Sequence, residues 1–389
     1  MDRLTYILSL IVVGLTPLDA VTVADDLSIG RVFYLLLLFS AFFSKSVLKV
    51  PQGGYLKILF VFSLWAFLTS YWSFKPDETM YRCLYLVQYF VLAVILQNVI
   101  DTPQKFHWLC GAWFLGAMYI ATETIFNYLV YGITSASLYR VDEFGNANEN
   151  SFMLCFGVIL FLVNAERIKY KILIYAVLLY SFLAILANGS RTGFIMYLLV
   201  IFIYLLSELK RGSKSIYYIF PVFLWLAVYY FNHVLSEGSY ERFMHISDDI
   251  KSSDLANRQW IWRMALEIMS EKDVSLLWGT GWSTFPYVLQ SHTSVFYDSH
   301  NFYLNILFTT GIIGFCILGY YLFTLVRYIS FIPHHRMRYS LLLIIPMISM
   351  LTTNWEYRRW WFLLGVFVYK LYQNSLTYDG KEAVSYTHL

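Results

Sequence analysis

The sequence predicts an all-α, polytopic integral membrane protein: a helical bundle of about 12 transmembrane spans, at about 20 apolar residues per crossing. Three observations carry that prediction. Of 389 residues, 59% are hydrophobic and 14% are charged, with a mean hydropathy of +0.56, whereas an ordinary soluble domain carries about 25% charged residues. The apolar residues come in long, nearly uncharged runs rather than in the alternation of a transmembrane β-barrel. The segments between runs alternate between rich and poor in Lys and Arg, as the positive-inside rule requires. Together these exclude a soluble globular enzyme, a disordered chain and a single-span receptor.

In chain order the runs fall near 4–18, 29–43, 56–73, 83–100, 108–130, 151–164, 172–187, 192–207, 216–232, 301–326, 339–353 and 360–371. Lys45, Lys49, Lys57, Arg167, Lys169, Lys171, Lys210, Arg211, Lys214, Arg327, Arg336 and Arg338 mark the connections assigned to the cytoplasm. The short connections opposite hold only Arg31, Lys75, Arg82, Arg140, Arg191, Arg358 and Arg359. Both termini are therefore expected in the cytoplasm. Residues 233–300 are expected to form one long extracytoplasmic loop inserted in a single transmembrane domain, 1–389. Met1-Asp2-Arg3 before an apolar run, with Thr22-Val23-Ala24 beyond it, resembles a secretory signal; we read 4–18 as a retained first span. The closing stretch 384–389 reads as translated sequencing adapter, so His388 is no candidate.

The net charge of +3 comes without a dense basic run, which points away from nucleic acid. Cys83, Cys110, Cys155 and Cys316 lie in apolar runs with no C-x-x-C pair, as small buried hydrophobes do. Glu123 is the one acid well inside a run. An ion-coupled pump needs a relay of intramembrane carboxylates or histidines, so the chemistry is sought on the outer face.

In Asn188-Gly189-Ser190-Arg191-Thr192-Gly193, Asn-Gly signals a turn and Ser190 can cap the following helix. Capping does not explain Arg191 at the positive end of that helix, where a cation is disfavoured. A helix N-terminus with an added guanidinium fork suits phosphate oxygens. In the long loop, Asp254 to Met269 is expected to be an interfacial amphipathic helix with Arg258, Trp262, Ala265 and Met269 on one stripe. Arg263 would point to another face. Gly279-Thr280-Gly281-Trp282 permits a tight turn and close backbone approach. Asp298-Ser299-His300-Asn301 places a histidine where water gives way to a membrane helix. The helix N-terminus would lower the imidazole pKa and Asp298 would raise it, which leaves the net sign open. Asp298 or Ser299 could instead simply cap the helix. Gly311 and Gly314 are expected to let helices approach. No metal site is expected: His292, Asp298 and His300 fit no common ligand spacing.

Taken together, Ser190-Arg191-Thr192-Gly193, Arg258-x-x-x-Trp262-x-x-Ala265, Gly279-Thr280-Gly281-Trp282 and Ser299-His300-Asn301-Phe302-Tyr303-Leu304 before Gly311-Ile312-Ile313-Gly314 resemble the O-antigen ligase and O-antigen polymerase superfamily of bacterial surface polysaccharide assembly. Gly145-Asn146-Ala147-Asn148-Glu149-Asn150 resembles that family's Gly/Asn-rich stretch but lacks its usual Asn-Pro-Asn form. The resemblance implies a GT-C-like, metal-independent glycosyltransferase of the bacterial inner membrane that uses no cofactor. It would transfer a glycan whole from an undecaprenyl-diphosphate donor to an acceptor hydroxyl on a glycan or lipid. His300, Arg191 and Arg258 would be catalytic, with Arg82, Arg140, Gly279, Gly281 and Asn301 binding substrate. A repeat-unit polymerase is favoured slightly over a ligase acting on lipid A-core or protein. Its partners would be membrane lipid, a flippase and a chain-length regulator. The rival class is a lipid-linked oligosaccharide flippase, which has no need for a large one-sided loop.

Overall fold

The computed structural model describes residues 2–18, 22–24, 27–44, 49, 53–131, 147–212, 217, 221–225, 228–229, 258–270, 275–332, 336–354 and 359–386. The helices are α1 (Asp2–Leu15), α2 (Ile29–Phe42), α3 (Gly54–Leu68), α4 (Pro76–Val99), α5 (Pro103–Tyr131), α6 (Ala147–Val163), α7 (Lys171–Asn188), α8 (Arg191–Lys210), α9 (Arg258–Ser270), α10 (Phe285–Thr293), α11 (Phe302–Ser330), α12 (Arg336–Met350) and α13 (Trp360–Tyr386). The ladder among the described residues is a short antiparallel pair, β1 (Thr22–Ala24) with β2 (Leu27–Ser28). Each expected apolar run is a helix, except 216–232, most of which lies outside the described residues. Among the described residues, six helices are long and apolar enough to cross a membrane: Gly54–Tyr71, Pro76–Val99, Pro103–Val130, Lys171–Asn188, Arg191–Lys210 and Phe302–Ser330.

The chain divides into two compact units. The first comprises residues 1–47, 99–246 and 333–349. Its centre is α6, in which Ser151–Leu160, Leu162 and Val163 are all buried. A helix apolar on every side must be enclosed by others, and α6 packs against α5, α7 and α8. Gly157 makes this packing close, because a Cβ there would stand 2.5 Å from Ala117 Cβ of α5. In the same unit the buried Thr5 and Ser40 share a hydroxyl–hydroxyl bond of 2.8 Å between α1 and α2.

The second unit comprises residues 48–98, 247–332 and 350–389. In it α11 packs against α3, α9, α10 and α13. Phe62 of α3 meets Trp361 of α13 at 5.3 Å and Trp282 at 5.6 Å, and Trp361 meets Phe302 of α11 at 5.7 Å. The first two pairs are edge-on and the third is tilted; edge-on aromatic pairs add about 0.5–1.5 kcal/mol each beyond the area they bury. Aromatic residues thus form the core of this unit as well as any interfacial belt.

The described part of the long loop, 258–270 and 275–300, holds one more helix than expected. The helix sought over 254–269 is described from Arg258, and its buried face is Ile261, Ala265 and Ile268. That face joins Phe285, Val288 and Leu289 of α10 and Phe308 of α11 in one cluster, with Trp262 and Met269 partly buried beside it. The expected stripe is therefore correct at Ala265 and shifted about its edges. The helix α10 went unforeseen. One further expectation is corrected. Gly311 does not bring two helices together but interrupts α11, with φ 68° and ψ −172°. The approaching partner is the loop at Leu277–Gly279, since a Cβ on Gly311 would lie 2.3 Å from Leu277 O. At Gly314 a Cβ would first meet Thr310 of its own helix, 2.0 Å from Oγ1, and then Trp65 of α3 at 3.2 Å, so its expected part in helix approach is secondary.

Candidate active site at the start of α11

The sequence Asp298-Ser299-His300-Asn301 closes a tight turn ahead of α11. Asn301 is the N-cap: its Oδ1 accepts from Leu304 N at 3.1 Å. The alternative in which Asp298 or Ser299 simply caps the helix is thereby set aside. Ser299 is buried; its Oγ donates to Asn301 O at 3.0 Å and accepts from Asn301 N at 3.3 Å. To fit between these two residues His300 takes φ 48°, in the left-handed region that only a few per cent of non-glycine residues occupy. Such positions persist where neighbours over-determine them, and they cluster at functional sites.

Two neighbours fix the turn. Trp262 of α9 donates its Nε1–H to Ser299 O at 2.9 Å. This anchors α9 one helical turn beyond Arg258, which is half-buried and whose charge acts on His300. Arg263 is exposed, on the other face as expected. On the opposite flank, Asp298 Oδ1 accepts from Ser299 N at 2.7 Å and from Asn305 Nδ2 at 3.4 Å. Asn354 Nδ2 lies 2.9 and 3.0 Å from the two Asp298 oxygens.

The structure resolves the sign that the sequence left open. Burial pushes the His300 imidazole below its ordinary pKa; Asp298 opposes this and Arg258 adds to it. The net direction is downward, so at neutral pH His300 is an uncharged imidazole able to accept a proton.

The remaining candidates have distinct surroundings. Gly279 (φ 74°) and Gly281 (φ 108°) allow the close approach expected of them, and what approaches is protein: Gly311 N and Thr309 at Gly279, Ser73 at Gly281. The loop donates Thr280 N to Phe308 O at 3.1 Å and Gly281 N to Thr309 O at 2.9 Å, and Ile312 N donates back to Leu276 O at 3.0 Å. Trp65 Nε1 takes Thr310 O at 2.9 Å. Arg82 on α4 pairs through Nε with Glu78 at 2.5 Å and lies over the Tyr81 and Tyr85 rings. Arg140 lies outside the described residues, as do Gly145 and Asn146. His292 turns its Nδ1 toward Val288 O of its own helix, 2.9 Å away. Among the described residues no three His, Cys, Asp or Glu side chains gather as a metal site would require.

Arg191 belongs to the first unit. Gly189 (φ 72°) ends α7 in the left-handed conformation, and Ser190 caps α8 by accepting from Gly193 N at 3.0 Å. Ser190 Oγ also bonds Asn148 Oδ1 at 2.6 Å, and Asn188 Nδ2 donates to Ala147 O and Ser151 Oγ, both at 2.6 Å. The Asn-rich stretch and the Arg191 turn thus form one hydrogen-bonded patch.

Asn305 and Asn354 were missed from sequence. Asn305 carried a signal, being an amide side chain in a largely apolar helix one turn past Asn301. Asn354 carried none, because only the fold brings it to Asp298.

No curated protein matches the chain. Residues 176–319 match the family described as O-antigen ligase, so the segment carrying Arg191, Arg258, Gly279, Gly281 and His300 is similar to that family.

Proposed function

We propose that this protein is a glycosyltransferase of bacterial surface polysaccharide assembly, moving a glycan from an undecaprenyl-diphosphate donor to an acceptor hydroxyl at the outer membrane face. The observation that carries the reading is the gathering of a neutral His300, Arg258 and Asp298 at the start of α11, within the segment similar to O-antigen ligases. In the reaction the acceptor oxygen forms a bond to the anomeric carbon, and the bond from that carbon to the diphosphate oxygen breaks. The acceptor proton passes to His300, and the undecaprenyl diphosphate leaves with the electron pair. Negative charge grows on the departing diphosphate, where fixed guanidinium groups stabilise it. Arg258 fills that role in this reading, without a metal or organic cofactor; Arg191, a guanidinium at a helix N-terminus, is the second arginine whose chemistry suits phosphate oxygens. The chain would cross the inner membrane about twelve times, with both termini cytoplasmic.

A repeat-unit polymerase is the favoured form. The family description, O-antigen ligase, supports a second, a ligase, whose acceptor would be lipid A-core or protein. Purified protein in detergent, given a synthetic polyprenyl-diphosphate oligosaccharide and candidate acceptors, should release polyprenyl diphosphate and extend an acceptor. Lipid translocation in sealed vesicles without any transfer would make it a flippase instead.

A further inference from the structure

Asp298 stands beside the proposed proton acceptor, and its carboxylate faces N–H donors from three places. Ser299 N and Asn305 Nδ2 both reach Oδ1, at 2.7 and 3.4 Å. Only Asn354 reaches both oxygens, at 2.9 and 3.0 Å, and so fixes the rotation of the carboxylate as well as its location. It comes from the segment between α12 and α13, 54 residues beyond His300 in numbering (354 less 300). We infer that Asn354 is a positioning residue for His300, holding the Asp298 charge in a fixed relation to the imidazole. The inference rests on the reading of His300 as proton acceptor.

The physical argument is short. Among the described residues, the charges acting on His300 are Asp298 on its own turn and Arg258 on α9. Among the described residues, the contacts left to the carboxylate without Asn354 are those at Oδ1, about which it can pivot. Water then reaches the freed Oδ2 and screens its charge from the ring. Asp298 is the influence that favours the protonated ring, so a screened Asp298 lets the ring lose its proton at lower pH.

The test is a nuclear magnetic resonance titration of the full chain carrying labelled histidine, in detergent and without donor or acceptor. The His300 signal is assigned by its loss in His300→Gln. In Asn354→Ala the midpoint should fall by about half a pH unit, and in Asp298→Asn by at least as much. The double variant should match Asp298→Asn alone. Asn354→Leu, which keeps the shape but not the donor, should behave as Asn354→Ala does and serves if the latter folds poorly. An unmoved midpoint, or a double variant in which the two shifts add, overturns the inference. In transfer assays the acid limb of the rate should move with the titration, and a uniform drop in rate with an unmoved limb also overturns it. A titration that moves as stated in a protein that transfers no glycan would sink the proposed function and leave Asn354 as the holder of Asp298.

Discussion

Gly279 and Gly311 meet backbone to backbone: a Cβ on Gly279 would lie 2.5 Å from Gly311 N, and a Cβ on Gly311 would lie 2.7 Å from Gly279 N. Both also hold φ near 70°. Each Gly→Ala change therefore meets a clash and a disfavoured conformation, costing on the order of 1–3 kcal/mol for the conformation alone. Thermal unfolding in detergent should show both variants destabilised, and the double variant less than additively, since they share one contact. Gly319→Ala, with open space around the added methyl, should leave the melting temperature nearly unchanged. Equal effects at Gly311 and Gly319 would contradict the interrupted helix.

His300→Ala should lower transfer by about a hundredfold to ten-thousandfold, the usual range for a general base, while the protein stays folded. Arg258→Ala should cost more than Arg263→Ala, because the first faces the histidine turn and the second is exposed. Steady-state transfer assays on the purified variants check both statements. The reverse ranking of the arginines would place the wrong face of α9 against the substrate.

The rate should fall as acid protonates His300, with a midpoint below about 6.5, the ordinary histidine value. Arg258 contributes to that depression. Removing it in Arg258→Gln should therefore move the midpoint upward, toward the ordinary value, besides slowing the reaction. A pH–rate profile of kcat/KM reads both effects. A downward shift in Arg258→Gln would reverse the electrostatic assignment.

Arg191→Ala should abolish transfer with little loss of stability. Ser190→Ala removes the cap of α8 and should destabilise by about 1 kcal/mol. Comparing melting temperature with activity separates the two effects. Reporters fused after residues 190 and 300 should report the same compartment. Opposite compartments would remove Arg191 from the catalytic proposal.

The helices were legible in the sequence because uncharged runs of this length have few alternatives. Position 300 was legible for a related reason: a histidine at the entrance to an apolar run is conspicuous. What surrounds it was not. The Asp298–Asn354 contact depends on a chain return that no local pattern records. Gly311 looked like a helix-packing glycine, since small residues let membrane helices approach closely. Its positive φ is visible only once Leu277 is seen to occupy the space. Asn301 likewise proved to be a cap, a role that Asp298 and Ser299 could equally have filled by residue type alone.

The bonding of the 276–281 turn has a consequence for its dynamics. Phe308, Thr309 and Thr310 would lose their carbonyl partners at the interruption, and each is answered from elsewhere, by Thr280 N, Gly281 N and Trp65 Nε1. The amides of Thr280 and Gly281 are thereby locked as firmly as those of a helix. In deuterium-labelling experiments they should exchange slowly, an island of protection inside a connecting segment. The turn and the helix beneath it should therefore open together, as one exchange unit rather than as a free loop.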